Sequence, residues 1–127
     1  MKNYITLYHY SNTDIKGDIS PLYFGVNSFS GISQRLSGIK RSYFYLTKTK
    51  KECYFNNSKY LYIAKTDKNK LYDIDKDIKG IIKNLKYNQD LYKVIKNKGY
   101  NGIITFKGLS QAVLFKSVKY IDKINVI

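Results

Sequence analysis

From Ile5 to His9 the chain alternates, with Tyr4, Thr6 and Tyr8 on one side and Ile5, Leu7 and His9 on the other, the two-residue period of a strand. The same period predicts a buried aromatic strand over Arg41–Leu46, a strand with one wetter face over Lys59–Lys65, and a short strand over Leu71–Ile74. Thr47 is placed to cap a helix over Lys48–Phe55. A second helix is expected from Asp75 to Leu85, where Ile78, Ile81, Ile82 and Leu85 recur at helical spacing behind an acidic start. Asn88 can cap a third, with Leu91, Val94 and Ile95 on one face and Gly99 just past its end. Strands over Gly102–Phe106 and Ala112–Phe115, joined through Lys107-Gly108-Leu109, complete the pattern. Ser11 to Lys40 lacks periodicity and holds Gly17, Pro21, Gly25, Gly31 and Gly38, which reads as a long loop with at most a helical turn. The prediction is an α+β fold: one domain, residues 1–127, of short, mainly antiparallel strands with three short helices.

At 127 residues the chain supports one core. No apolar run approaches the roughly 18 to 20 residues that span a bilayer, and the first residues lack the apolar centre of a secretory signal. A soluble, cytoplasmic protein with no membrane association is therefore expected. Cys53 has no internal disulfide partner, and with His9 as the sole histidine there is no Cys/His set for zinc, so no metal site is expected. Cys53 reads as a small buried side chain on the Lys48–Phe55 helix.

The net charge of +14 points to an acidic partner such as nucleic acid. Nearly all of it is lysine, with Arg35 and Arg41 the two arginines, whereas base edges and phosphate forks favour arginine. Enrichment in Lys, Asn, Ile and Tyr together also fits drift in an AT-rich genome, so the charge reads either as a functional surface or as composition.

Three stretches carry candidate chemistry: Leu7-Tyr8-His9-Tyr10-Ser11, Arg41-Ser42-Tyr43-Phe44-Tyr45-Leu46, and Ser110-Gln111 running into Ala112–Phe115. Taken singly, His9 on an aliphatic face reads as a core histidine and Tyr43 as a core aromatic. With Leu71-Tyr72-Asp73 and Lys98-Gly99-Tyr100-Asn101-Gly102-Ile103 between them, their order resembles the ADP-ribosyltransferase superfamily. The resemblance is to the branch with a His-Tyr-Glu triad, and is strongest to small phage and mobile-element domains of polyvalent proteins.

The resemblance implies two packed small sheets, NAD as co-substrate, and cleavage through an oxocarbenium-like state as in glycoside hydrolysis. His9, Tyr43 and Gln111 would be the catalytic set. His9 would bond the ribose hydroxyls, the Tyr10 backbone the nicotinamide amide, and Tyr43 would stack on the nicotinamide ring. Ser11 and Ser42 would be polar helpers and Tyr54 the opposite wall.

Three departures bear on this. Tyr10 stands where the family often has Gly, Gln111 stands in place of Glu, and Leu109 lies where arginine-modifying relatives carry Glu or Gln. Glutamine cannot act as a base or offset a cation, and Glu52 is the sole glutamate, so a needed carboxylate would come from Asp73, Asp75 or Asp77. The functional expectation is a mono-ADP-ribosyltransferase modifying a host protein or nucleic acid, in a phage host-takeover or anti-defence role. The alternatives are a catalytically degenerate form that binds a protein or nucleic acid, and a plain nucleic-acid binder with lysines on phosphates and rings on bases.

Overall fold

In the computed structural model, residues 3–20, 42–48, 59–86, 91–106 and 110–125 are described. Strand β1 (Tyr4–Ser11) runs antiparallel to β3 (Tyr60–Asp67) along its full length, from Tyr4 opposite Asp67 to Ser11 opposite Tyr60. On its other side β1 pairs with β2 (Ser42–Tyr45), and β2 pairs with β6 (Gln111–Leu114). Strand β5 (Gly102–Thr105) follows β6, and β4 (Leu71–Asp73), reached through a 3₁₀ turn at Lys68–Lys70, pairs with β5 in parallel. Strand β7 (Tyr120–Asn125) closes the far edge against β3. The result is one seven-stranded mixed sheet in the order β4-β5-β6-β2-β1-β3-β7.

This overturns the expected α+β class with two small sheets and three helices. Among the described residues there is one α-helix, α1 (Leu91–Asn97), within the span predicted for the third. The expected Lys48–Phe55 helix, with Glu52, Cys53 and Tyr54, lies almost wholly outside the described residues. The Asp75–Leu85 segment is a chain of turns, because its acidic residues bind nearby backbone amides in competition with a helix. Asp73 Oδ1 accepts from the amides of Asp75 (2.9 Å) and Lys76 (3.1 Å). The Asp77 carboxylate accepts from those of Ile82 (3.0 Å) and Lys83 (2.8 Å), and from the Tyr72 hydroxyl. Asp77 and Gly80 both take positive φ, which no helix continues. The apolar stripe read as helical is split accordingly: Ile81 is buried, whereas Ile78 is 83% exposed.

Both faces of the sheet are covered where its strands alternate. On one, Leu7, Phe44, Tyr62, Ala112 and Leu114 form a core with Ile19 and Val118, which bridge residues 12–20 to the segment leading into β7. On the other, Tyr72, Ile103 and Val113 pack against Leu91 and Ile95 of α1 and Ile81 of the turns. Gly102 is enclosed between β4 and β6, where an added Cβ would meet the Val113 carbonyl oxygen at 2.1 Å.

Tyr62 joins the sheet to its covering segment. It is fully buried, and its hydroxyl donates to the Thr13 carbonyl (2.8 Å) while accepting from the Ile15 amide (2.7 Å). Tyr120 packs on its ring at 4.9 Å and donates to the Ile15 carbonyl (3.0 Å). Tyr62→Phe leaves two backbone groups without this partner and should cost about 1–3 kcal/mol in denaturant unfolding. Gly102→Ala should cost at least as much, since the obstructing atom is backbone and overpacking costs about 1–3 kcal/mol even where side chains can yield.

Candidate functional site

The order β1-β2-β6 brings the three candidate stretches onto neighbouring strands. Register then decides which side chains meet. Tyr45 stands opposite Tyr8 on β1 and opposite Gln111 on β6, and Gln111 stands opposite Thr105 on β5. Cross-strand partners share a face, so Tyr8, Tyr45, Gln111 and Thr105 form one row across four strands. Alternation puts Tyr10 and Tyr43 on that same face, and Tyr10, itself buried, packs edge-on to Tyr45 at 6.4 Å.

His9 belongs to the opposite face. Part-buried itself, it lies beside two residues of the first core, Phe44 (5.3 Å between ring centroids) and Tyr62 (6.4 Å). The predicted trio is therefore adjacent in strand order but divided by the sheet: Tyr43 and Gln111 on one side, the imidazole on the other. Its link to Tyr43 is through the backbone, with Nδ1 at 2.8 Å from the Tyr43 carbonyl oxygen. A carbonyl can only accept, so Nδ1 carries the proton and Nε2 is left as the acceptor. Burial pushes the imidazole pKa down and the Tyr43 carbonyl only partly offsets this, so His9 is neutral at pH 7.

The remaining candidates have definite places. Ser11 Oγ accepts from the Thr13 amide (3.0 Å) in a local turn. Ser42 Oγ is buried without a hydrogen-bond partner, on the same face as Phe44. Gln111 follows Ser110, whose φ of 54° turns the chain into β6 and whose carbonyl accepts from the Leu46 amide (3.0 Å). That bond ties the end of β2 to the start of β6 and fixes Gln111 beside Tyr45.

Of the three aspartates, Asp75 ends the row. Thr105 Oγ1 donates to its Oδ1 (2.7 Å) and the Phe106 amide to its Oδ2 (2.7 Å), so the row runs tyrosine, tyrosine, amide, hydroxyl, carboxylate. Asp77 has a structural setting: burial raises its pKa, but bonds from Tyr72, Ile82 and Lys83 outweigh this and hold it below the ordinary carboxylate value. Sequence reasoning missed Tyr45 and Thr105. The run Tyr43-Phe44-Tyr45 offers two rings on one face, and only the pairing with β6 singles out Tyr45. Among the described residues no group of His, Cys, Asp and Glu could hold a metal ion.

His9 binds a proton more weakly in the folded state than in the unfolded chain. Its contribution to stability is therefore full above about pH 6.5 and declines as pH falls below that value toward the folded pKa. Thermal unfolding of wild type should show this decline as pH falls below about 6.5, and a His9→Gln variant should show a flatter profile there. Equal slopes would place the proton uptake elsewhere.

Comparisons with protein-family models, with curated proteins and with solved structures found no match, so the chemistry of the site is argued from its own residues.

Proposed function

We propose that the protein is an NAD-dependent mono-ADP-ribosyltransferase whose site lies along the β1-β2-β6 strip. The observation that carries this reading is the pairing of Gln111 with Tyr45 beside Tyr43, with His9 bonded behind them to the Tyr43 carbonyl. A part-buried ring next to a fixed amide suits a nicotinamide riboside: the ring stacks on Tyr43, with the buried Tyr45 supporting it from within, and a ribose hydroxyl meets Gln111. From the opposite face the neutral His9 acts on this strip through the backbone alone, its Nδ1 holding the Tyr43 carbonyl. In the reaction the bond from ribose C1′ to the nicotinamide nitrogen breaks, and nicotinamide leaves with the electron pair. An acceptor nucleophile of a host protein or nucleic acid then bonds to C1′ and gives up its proton to solvent. The proposed setting is the cytoplasm of a bacterial host during phage takeover. No helix among the described residues is long and apolar enough to cross a membrane.

A second reading, a single-sheet domain that binds a protein or nucleic acid without catalysis, is favoured by one observation. Both oxygens of Asp75, the carboxylate ending the row, already accept from Thr105 and Phe106.

Titration calorimetry with NAD separates the two. Wild type should bind saturably, and Tyr43→Ala should weaken binding about 5- to 100-fold, the worth of a stacked ring. Gln111→Glu should speed NAD hydrolysis by roughly tenfold or more, because a charged acceptor bonds the ribose hydroxyl more strongly and offsets the developing cation. Labelled NAD added to host lysate should mark a discrete acceptor. Absence of heat with folded wild type at millimolar NAD would overturn the enzyme reading in favour of the binding module.

A further inference from the structure

Three clefts share walls around Tyr100, Asn101 and Lys116. The first, about 410 Å³, is bordered by Lys68, Lys79 and Tyr100. Tyr100 also borders the second, about 190 Å³, together with Tyr92 and Lys96. Lys116 passes from the second into the third, about 130 Å³. The first two clefts of this track thus hold cations and rings side by side, and the third adds Lys116.

The lysines are exposed, and none is held in an ion pair among the described residues. Several rest on rings: Lys79 Nζ lies 5.1 Å from the Tyr100 centroid, Lys96 Nζ 5.5 Å from Tyr92, and Lys68 Nζ 5.3 Å from the 45%-exposed Phe106. Such contacts at an exposed site are weak, so the ammonium groups can swing to an anion and free the ring faces. The acid on these walls, Asp73, is turned to its own loop through bonds to two backbone amides. An acidic peptide would use the cations and leave the rings bare. A nucleic-acid duplex would present phosphates but keep its base faces stacked inside. A single strand offers phosphates and unstacked bases in alternation, matching both features, and the chain's net charge of +14 favours it.

We propose that this track is a binding surface for single-stranded nucleic acid, with Lys68, Lys79, Lys96 and Lys116 on phosphates and bases stacked on Tyr92 and Tyr100. It stands apart from the NAD proposal, since none of these residues belongs to the β1-β2-β6 strip.

The test is fluorescence anisotropy with labelled oligo(dT) and oligo(U) of about twelve nucleotides, between about 50 and 200 mM salt. Wild type should bind both, and affinity should fall steeply with salt. The Lys79→Gln/Lys96→Gln double variant should bind about tenfold more weakly, with a log–log salt slope shallower by about 1.4, the share of two phosphate contacts. Lys16→Gln/Lys59→Gln removes the same charge away from the track and should leave affinity within about twofold. Tyr92→Ala should weaken binding at least fivefold, and an abasic oligomer should bind wild type correspondingly less well. A preference between the oligomers identifies RNA or DNA as the source of the strand. The proposal is overturned by equal losses in the two lysine pairs, by duplex or polyaspartate competing as well as the single strand, or by no binding at the lower salt. NAD titration of the Lys79→Gln/Lys96→Gln variant should match wild type, which keeps failure of this surface separate from failure of the NAD site.

Discussion

The buried hydroxyl of Tyr62 holds together two parts of the molecule that the chain separates by nearly fifty residues. A tyrosine at the centre of β3 has to satisfy its oxygen once water is excluded, and it does so on the backbone of Thr13 and Ile15. That fixes the course of residues 12–20 over one face, from which Ile19 bridges to Val118 and seals the core around Leu7 and Phe44. Tyr120, bonded to the Ile15 carbonyl and packed on the Tyr62 ring, brings β7 onto the edge of β3. The covering segments and the edge strand therefore depend on one satisfied polar group inside an apolar face.

The same rule, that buried backbone groups must be paired, shapes the opposite end. Asp73 and Asp77 collect hydrogen bonds from amides of the segment itself, Asp75 reaches across to Thr105 and Phe106, and the chain winds through turns from Ile74 to Asn84. Their consequence for the site is indirect but definite. By fastening Thr105 and Phe106, Asp75 anchors the end of β5 against which Gln111 is registered.

In the candidate site the sheet imposes a division. His9 and Tyr43 touch through an imidazole and a carbonyl while their rings occupy opposite faces. The imidazole sits part-buried against Phe44 and Tyr62, neutral, with Nδ1 protonated toward the Tyr43 carbonyl. On the far face Gln111 is registered against the buried Tyr45, with the part-buried Tyr43 two residues away on the same strand.

Much of the strand content was legible in the sequence, because period-two alternation over Ile5–His9, Arg41–Leu46 and Lys59–Lys65 is a local property of the chain. Helix α1 was legible for the same reason, its apolar positions and following glycine being local signals. The Asp75–Leu85 segment was misread because the spacing of its isoleucines is helical, while the hydrogen bonding of its aspartates, which spacing does not report, favours turns. Strand β7 was missed because an edge strand rich in polar residues, such as Lys119–Asn125, carries little apolar pattern of its own and is defined by the neighbour it pairs with. By itself the sequence determined where strands could form, that His9 was the one titratable imidazole, and that the chain was strongly basic. Tertiary structure alone decided that the strands join in a single sheet, that Gln111 faces Tyr45, and that His9 stands on the other side. Strand order and register are set by pairing between distant segments, and a shift of one residue would exchange the two faces.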